Sequence, residues 1–324
     1  MPQQSIPQTA PQITTQIVKL PNYQLLLVAG PDAVKFLQGQ VTCDINELNN
    51  HTSRLGAQCT PKGRVILSFR ALQISPELIA LRIPQSMMDS ALASLGKYIV
   101  FSKAKLEIGS DFHLFGISGA DAANVAQTFL KSIPAQINEW TEENGCYLIK
   151  LTNNRFECWI HSTATSYFNS RLSSQQSLIV EDPNKWALLD IEAGISDIHP
   201  LTRELFTPQE LNYQLINAVN FRKGCYTGQE IVARLHYRGK LKRHLFRFET
   251  QGDELPLLGT PILTSSGQTC GHITQVALSA PNKFELLASM QAEHQNDAYF
   301  STLGEKLKPL GLPYAIPSAE ELPD

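Results

Sequence analysis

Short β-type runs, each closed by Gly, Pro or Asn, recur along this chain and are broken by single helical stretches. This rhythm constrains the fold more than any other feature. Tyr23 to Val28 reads as a strand, Gly30-Pro31-Asp32 breaks it, and Ala33 to Leu37 begins a short helix that ends near Gly39. Arg54 to Thr60 and Val65 to Ile74 read as strands joined by the turn Pro61-Lys62-Gly63, with Leu78 to Ile83 as the next. Pro84 to Leu95 has helical spacing, with Met87, Met88, Ala91, Leu92 and Leu95 on one side, and Tyr98 to Ile108 reads as a strand. A second cycle follows: strand His113 to Ile117, helix Ala120 to Leu130, a hairpin of Tyr147 to Leu151 and Phe156 to Ile160 around Asn153-Asn154, and a helix near Tyr167 to Leu172. Two such cycles predict an α+β chain with two antiparallel lobes, not a doubly wound parallel sheet. Beyond Lys240 the runs shorten (Leu245 to Phe248, Pro261 to Thr264, Cys270 to Ala277, Phe284 to Ala288), which predicts a small C-terminal β-barrel.

The 324 residues allow two or three packed units. The boundaries read as a flexible tail over 1–15, a main region over 16–240, and the barrel with its tail over 241–324. With 43% hydrophobic and 18% charged residues the balance is that of a globular protein. No apolar run approaches the roughly 20 residues of a membrane span. Met1 to Thr15 is rich in Gln, Pro and Thr and lacks the basic start and apolar stretch of a signal peptide, so a cytoplasmic protein is expected. The six cysteines are scattered and none has metal-ligand spacing, which predicts free thiols, most of them small core residues, and no metal site.

One segment carries chemistry: Lys223-Gly224-Cys225-Tyr226-Thr227-Gly228-Gln229-Glu230. Thr227 and Glu230 fit a capping box, Ile231, Val232 and Leu235 give an apolar helical face, and Gly239 suits a left-handed helix end. Cys225 then precedes a helix N-terminus, and Arg222 and Lys223 lie beside it; both features favour a thiolate. Gly224 and Gly228 leave room for a ligand or partner sulfur to approach. A glycine-bounded loop with an inert buried cysteine is the alternative. From Arg222 to Arg247 eight basic residues stand against Glu230 alone, a local +7, while the rest of the chain carries −10. That suits an anionic ligand or an RNA backbone, or is simply a solvated basic face.

The segment, continued by Ile231 to Arg234 and Tyr237-Arg238-Gly239, resembles the signature of the folate-binding YgfZ family, itself related to the T-protein (aminomethyltransferase) of the glycine cleavage system. Further blocks resemble the family along nearly the whole chain: Phe36 to Asp44, Tyr98 to Lys103, Trp186 to Ile195, and Phe206 to Asn212. The resemblance implies a three-lobed ring around tetrahydrofolate or a one-carbon derivative, with residues 180–240 returning to the first lobe. It implies an accessory role in assembling or repairing iron–sulfur enzymes, among them those that methylthiolate tRNA. Glu192 matches an acidic residue that contacts the pterin, Trp186 an aromatic tied to folate, and Tyr23 a position that is tryptophan in some relatives. From the residues alone, Trp186 reads as a core residue on an amphipathic helix. The signature residues Tyr226, Gly228, Gln229 and Arg234 are expected at the folate site, and Cys225, with Lys223 and Arg222, as the working thiol and its neighbours.

One departure matters. Aminomethyltransferases place a catalytic aspartate on the strand after the Lys62-Gly63-Arg64 turn, and Ser68 occupies that position here. A serine supplies no carboxylate charge near neutral pH, so glycine-cleavage chemistry is not expected. A folate-dependent one-carbon transferase or demethylase is the alternative function, and a non-enzymatic RNA-binding module ranks last. Direct nucleic-acid binding and membrane association are not expected.

Overall fold

Neighbouring strands joined by tight turns pair antiparallel, and this local rule builds three sheets, one of them a curled half-barrel. The computed structural model describes residues 15–239, 241–300 and 304–317. Of the expected 1–15 tail only Thr15 is among them, and Lys240 of the basic segment also lies outside them. The strands are β1 (Gln16–Lys19), β2 (Tyr23–Ala29), β3 (Arg54–Cys59), β4 (Val65–Ser75), β5 (Leu78–Pro84), β6 (Lys105–Ile108), β7 (Phe112–Ser118), β8 (Trp140–Glu143), β9 (Cys146–Thr152), β10 (Arg155–His161) and β11 (Ile179–Val180). They continue as β12 (Arg243–Gln251), β13 (Pro261–Leu263), β14 (Thr269–Ala280), β15 (Lys283–Gln291), β16 (Tyr299–Phe300) and β17 (Lys308–Leu310). The α-helices are α1 (Ala33–Gln38), α2 (Met88–Ile99), α3 (Ala122–Phe129), α4 (Thr165–Leu172), α5 (Asn184–Glu192) and α6 (Gln229–Arg238).

The chain divides into two units. One takes Asp111–Asp182 with the segment ending at Leu20. Its sheet has the order β11-β1-β7-β10-β9-β8, parallel only where β1 meets β11. The β9–β10 hairpin sets Leu148 opposite Cys158, as the Asn153-Asn154 turn predicts. Helices α3 and α4 cover one face, where Phe129 and Phe168 stack at 4.6 Å between ring centroids over Ile17, Phe115 and Phe156.

The other unit takes Pro21–Ser110 and the chain from Pro183 onward. It holds two sheets, of order β3-β4-β5-β2-β6 and β16-β13-β14-β15-β12-β17. A single apolar cluster joins them: Leu26, Leu37, Phe69, Leu81 and Leu95 pack in one core with Leu211, Val232, Leu245 and Leu287. Each such fully buried side chain contributes about 1.5–3 kcal/mol of transfer free energy. Helix α5 is tied to β14 by a two-way amide link, Asn184 donating to Leu278 O at 2.7 Å and accepting from Leu278 N at 2.8 Å. The chain is therefore an α+β protein of antiparallel sheets.

Two local readings change. Helix α2 begins at Met88, after a 3-10 turn over Gln85–Met87, and runs on through Tyr98 to Ile99. The expected strand Tyr98 to Ile108 is thus reduced to β6, Lys105–Ile108. Asp32 enforces the break: its carboxylate accepts from Lys103 N at 2.8 Å, turning the chain just before β6. Val100 and Phe101 fall in that turn, where Phe101 is 89% exposed instead of alternating in a sheet.

Candidate functional site

The Lys223–Glu230 segment is anchored on the first block of the chain. Lys223 is buried, and its ammonium donates to Val41 O at 2.6 Å and Cys43 O at 2.7 Å. Asn220 shapes the approach, its side-chain oxygen accepting from the backbone N–H groups of Arg222 and Lys223. Thr227 N donates to Gly39 O at 3.2 Å. Gly228 is the N-cap of α6 at φ +86°, where a Cβ would lie 2.4 Å from Thr60 O. Only glycine satisfies both the left-handed conformation and that approach.

These contacts correct four expectations. Thr227 is not the N-cap, and α6 has no side-chain cap. The reciprocal Thr/Glu pairing occurs earlier, where Thr207 N donates to Glu210 at 2.7 Å and Glu210 N to the Thr207 hydroxyl at 3.4 Å. Gly228 is crowded by Thr60 rather than open; Gly224 is the open one of the two, with no described residue within 4 Å of a Cβ built there. Gly239 ends α6 in extended conformation at φ −96°, not left-handed.

Of the six cysteines, all described, Cys225 alone is exposed. Burial pushes the Cys43 and Cys59 thiols up to about 12 and raises that of Cys158 well above the ordinary thiol value. The loop therefore separates two roles. Cys225 and Arg222 face solvent, while Lys223 turns inward. Burial lowers the Lys223 pKa to about 8, against the opposing pull of Cys43 and Asp44. Its ammonium is engaged by two carbonyls and lies 5.2 Å from the centroid of the Tyr226 ring, so these contacts make it the clamp of the loop. Tyr226 is buried, and its hydroxyl has no hydrogen-bond partner among the described residues. Burial, then Cys59 and Cys43, raise its pKa.

A second polar group surrounds Tyr23, at the start of β2. The Tyr23 hydroxyl is 2.9 Å from Asp197 Oδ2 and 3.3 Å from Asp190 Oδ2. The Arg82 guanidinium covers one face of its ring at 4.0 Å from the centroid and reaches Asp197 at 3.6 Å. Ser68 donates to Asp197 Oδ1 at 2.9 Å and accepts from Ile198 N at 2.8 Å. Sequence reading found Tyr23 and Ser68 but missed Asp190, Asp197 and Arg82. The one available signal was polar: Asp190 interrupts the apolar stretch Leu188 to Ile191. Tyr213 and Cys59 are both buried. Cys59 influences Tyr226 and Tyr213, and Asp197 also influences Tyr213.

No family model matches the chain. It is 32% identical over 283 residues to a tRNA-modifying protein YgfZ of Yersinia pestis, covering 87% of this chain and 84% of that one. It is 31% identical over 249 residues to the protein of that name in Hamiltonella defensa, covering 76% and 74%. The chain belongs to the YgfZ family. An uncharacterized Haemophilus influenzae protein is 32% identical over 308 residues, covering 93% of this chain and 99% of that one. In fold, the chain is similar to the glycine cleavage aminomethyltransferase T of Bartonella henselae, with TM-score 0.74 and 16% identity over 93% of this chain and 86% of that one.

The residues that YgfZ resemblance associates with folate are spread over this framework. Tyr23 and the helix of Trp186 and Glu192 meet through the Tyr23–Asp190 hydrogen bond. Trp186 is 1% exposed, so no ring face is open for stacking, and its environment is that of the core alternative. Glu192, at the end of α5, keeps a 40% exposed side chain 3.7 Å from Arg247, which is itself held by Glu285. A carboxylate in that setting fits a ligand edge rich in N–H donors. The unpartnered Tyr226 hydroxyl is a second polar atom that a ligand can satisfy. Gln229 is half-buried at the first turn of α6, and Arg234 is exposed on its outer face. The basic segment is divided: Arg222, Arg234, Arg238 and Lys242 are exposed, while Lys223 and Arg247 are engaged internally. Among the described residues no group of three His, Cys, Asp or Glu is arranged to hold a metal, and no helix is long and apolar enough to cross a membrane.

Proposed function

We propose that this YgfZ protein binds tetrahydrofolate or a one-carbon derivative and supports the assembly or repair of iron–sulfur enzymes, so that its effect on tRNA is through methylthiolation by such an enzyme. Cys225 is its working thiol. The observation that carries the reading is the presentation of that residue: one thiol of six exposed, on a loop held by Lys223 and Gly228. Five buried thiols suit packing; an exposed one on a fixed loop suits exchange with a partner sulfur or electrophile. Glu192 pairs with the amino-pyrimidinone edge of the pterin, and Tyr23 and Tyr226 supply further polar contacts. When bound, the folate supplies a one-carbon carrier.

Calorimetric titration with tetrahydrofolate tests the ligand assignment. Wild type is expected to bind, and Glu192→Ala to bind at least tenfold more weakly, the loss of about 1.4 kcal/mol expected for a charge-assisted pair. Absence of binding to wild type removes folate from the account, and equal affinities remove Glu192 from the site.

A further inference from the structure

Helix α6 turns a polar face to solvent. Arg234, Tyr237 and Arg238, spaced i, i+3 and i+4, lie side by side on it, and all three are exposed. Tyr237 is 53% exposed, yet its ring is held in place. His236 and Phe221 stack in parallel at 3.6 Å between ring centroids. The Tyr237 ring stands across both, 4.7 Å from His236 and 6.2 Å from Phe221. Three rings from two segments thus fix one another. Phe221 brings its neighbour Arg222 to this face, and the chain beyond α6 adds Lys242; both are exposed. Among the described residues no carboxylate lies within ion-pair distance of Arg222, Arg234, Arg238 or Lys242, whereas Arg54, Arg64 and Arg247 are each paired. Four cations less Glu230, the acidic residue of the same stretch, leave a net +3.

We infer that this face docks an unpaired stretch of RNA, with a base stacked on Tyr237 and the flanking phosphates taken by Arg234, Arg238, Arg222 and Lys242. Cations alone suit any polyanion, an acidic protein surface included. The exposed ring among them adds a flat π surface, which every base matches and a carboxylate does not. A duplex keeps its bases stacked on one another, whereas RNA loops and ends offer bases free to stack on a side chain. The ring loses little freedom on binding, because His236 and Phe221 already hold it. The inference is independent of the folate and thiol readings. It departs from the expectation drawn from the sequence, where the basic stretch reads equally as a solvated face and nothing marks Tyr237 as an exposed, fixed ring.

The test is fluorescence anisotropy with a labelled uridine oligoribonucleotide of about 12 nucleotides, within the ~4–16 that a small single-strand-binding domain covers. Wild type is expected to bind at low salt and to lose affinity as salt rises. Tyr237→Ala is expected to weaken binding at least about fivefold, the lower end of what one stacked base contributes, and Tyr237→Phe by less than about twofold. If Tyr237→Ala fails to fold, Tyr237→Leu, which keeps an apolar side chain against His236 and Phe221, carries the same expectation. Arg234→Gln with Arg238→Gln is expected to flatten the slope of log affinity against log salt by about 1.4, since each phosphate contact with a single strand contributes about 0.7. Lys97→Gln with Lys103→Gln, two exposed lysines outside this face, is expected to leave affinity within about twofold of wild type. Three results each overturn the inference: no binding by wild type at about 50 mM salt, wild-type affinity in the folded Tyr237 variant without a ring, or equal weakening by the Lys97 and Lys103 pair. Competition by polyglutamate as strong, per charge, as by unlabelled oligonucleotide also overturns it and reassigns the face to an acidic protein surface.

Discussion

Replacing Lys223 with methionine isolates the clamp beneath the cysteine loop. In the folded chain the ammonium satisfies Val41 O and Cys43 O. Leaving two buried carbonyls unpaired costs about 1–3 kcal/mol each, offset by no longer burying a charge, so a net loss of about 2 kcal/mol is expected at pH 7. The pH dependence is the sharper signature. Burial lowers the Lys223 pKa from 10.5 to about 8. Below that value both the folded and unfolded chains hold the proton, and the cost of the buried charge is fully present. Between there and the unfolded value the unfolded chain binds more protons, so stability rises with pH by up to about 1.4 kcal/mol per unit. Wild type should therefore gain about 1 kcal/mol on Lys223→Met between pH 7 and pH 9. Urea unfolding at the two pH values, extrapolated to water, measures the gap; comparing the two proteins cancels the other titrating groups. A gap that stays constant or narrows refutes the buried, proton-losing clamp.

Other consequences are direct. Gly228→Ala should lose at least about 2 kcal/mol from the left-handed conformation and the approach to Thr60 O, whereas Gly224→Ala should change stability by less than about 0.5 kcal/mol; equal melting temperatures for the two variants would contradict the loop geometry. A thiol reagent such as dithionitrobenzoate should titrate one fast thiol per native chain and six after denaturation, and a second fast thiol in the native protein would break the separation of Cys225 from the others. Trp186→Ala should lower stability by about 3–5 kcal/mol, as removal of a core side chain does; a stable variant with only weakened folate affinity would instead place the ring at the ligand.

The strands and the first helix were legible because their signals are local. Pro61-Lys62-Gly63 and Asn153-Asn154 mark hairpins whose flanking residues alternate, and β3–β4 and β9–β10 pair as that pattern requires. Tyr98 to Ile108 misled because Val100 and Phe101 look like strand residues, yet the turn is set by Asp32, far away in sequence. The Thr227/Glu230 spacing misled because Gly228 must take a left-handed conformation to clear Thr60, which moves the helix start past Thr227. The motif residues could be read; their partners could not. Lys223 looks like a neighbour of Cys225 in the sequence, and only the fold turns its ammonium toward Val41 and Cys43. Asp197 is silent for the same reason, since nothing near it in the chain announces Tyr23 or Ser68.

The proposed function rests on the exposed thiol of the loop, Cys225. Complementation with Cys225→Ala in a bacterial strain lacking its own YgfZ protein tests it most directly, with tRNA methylthiolation as the readout. The variant is expected to accumulate, to unfold at the wild-type temperature and to bind tetrahydrofolate as wild type does, while leaving methylthiolation at the level of the empty strain. Restoration to the wild-type level by Cys225→Ala would contradict the account.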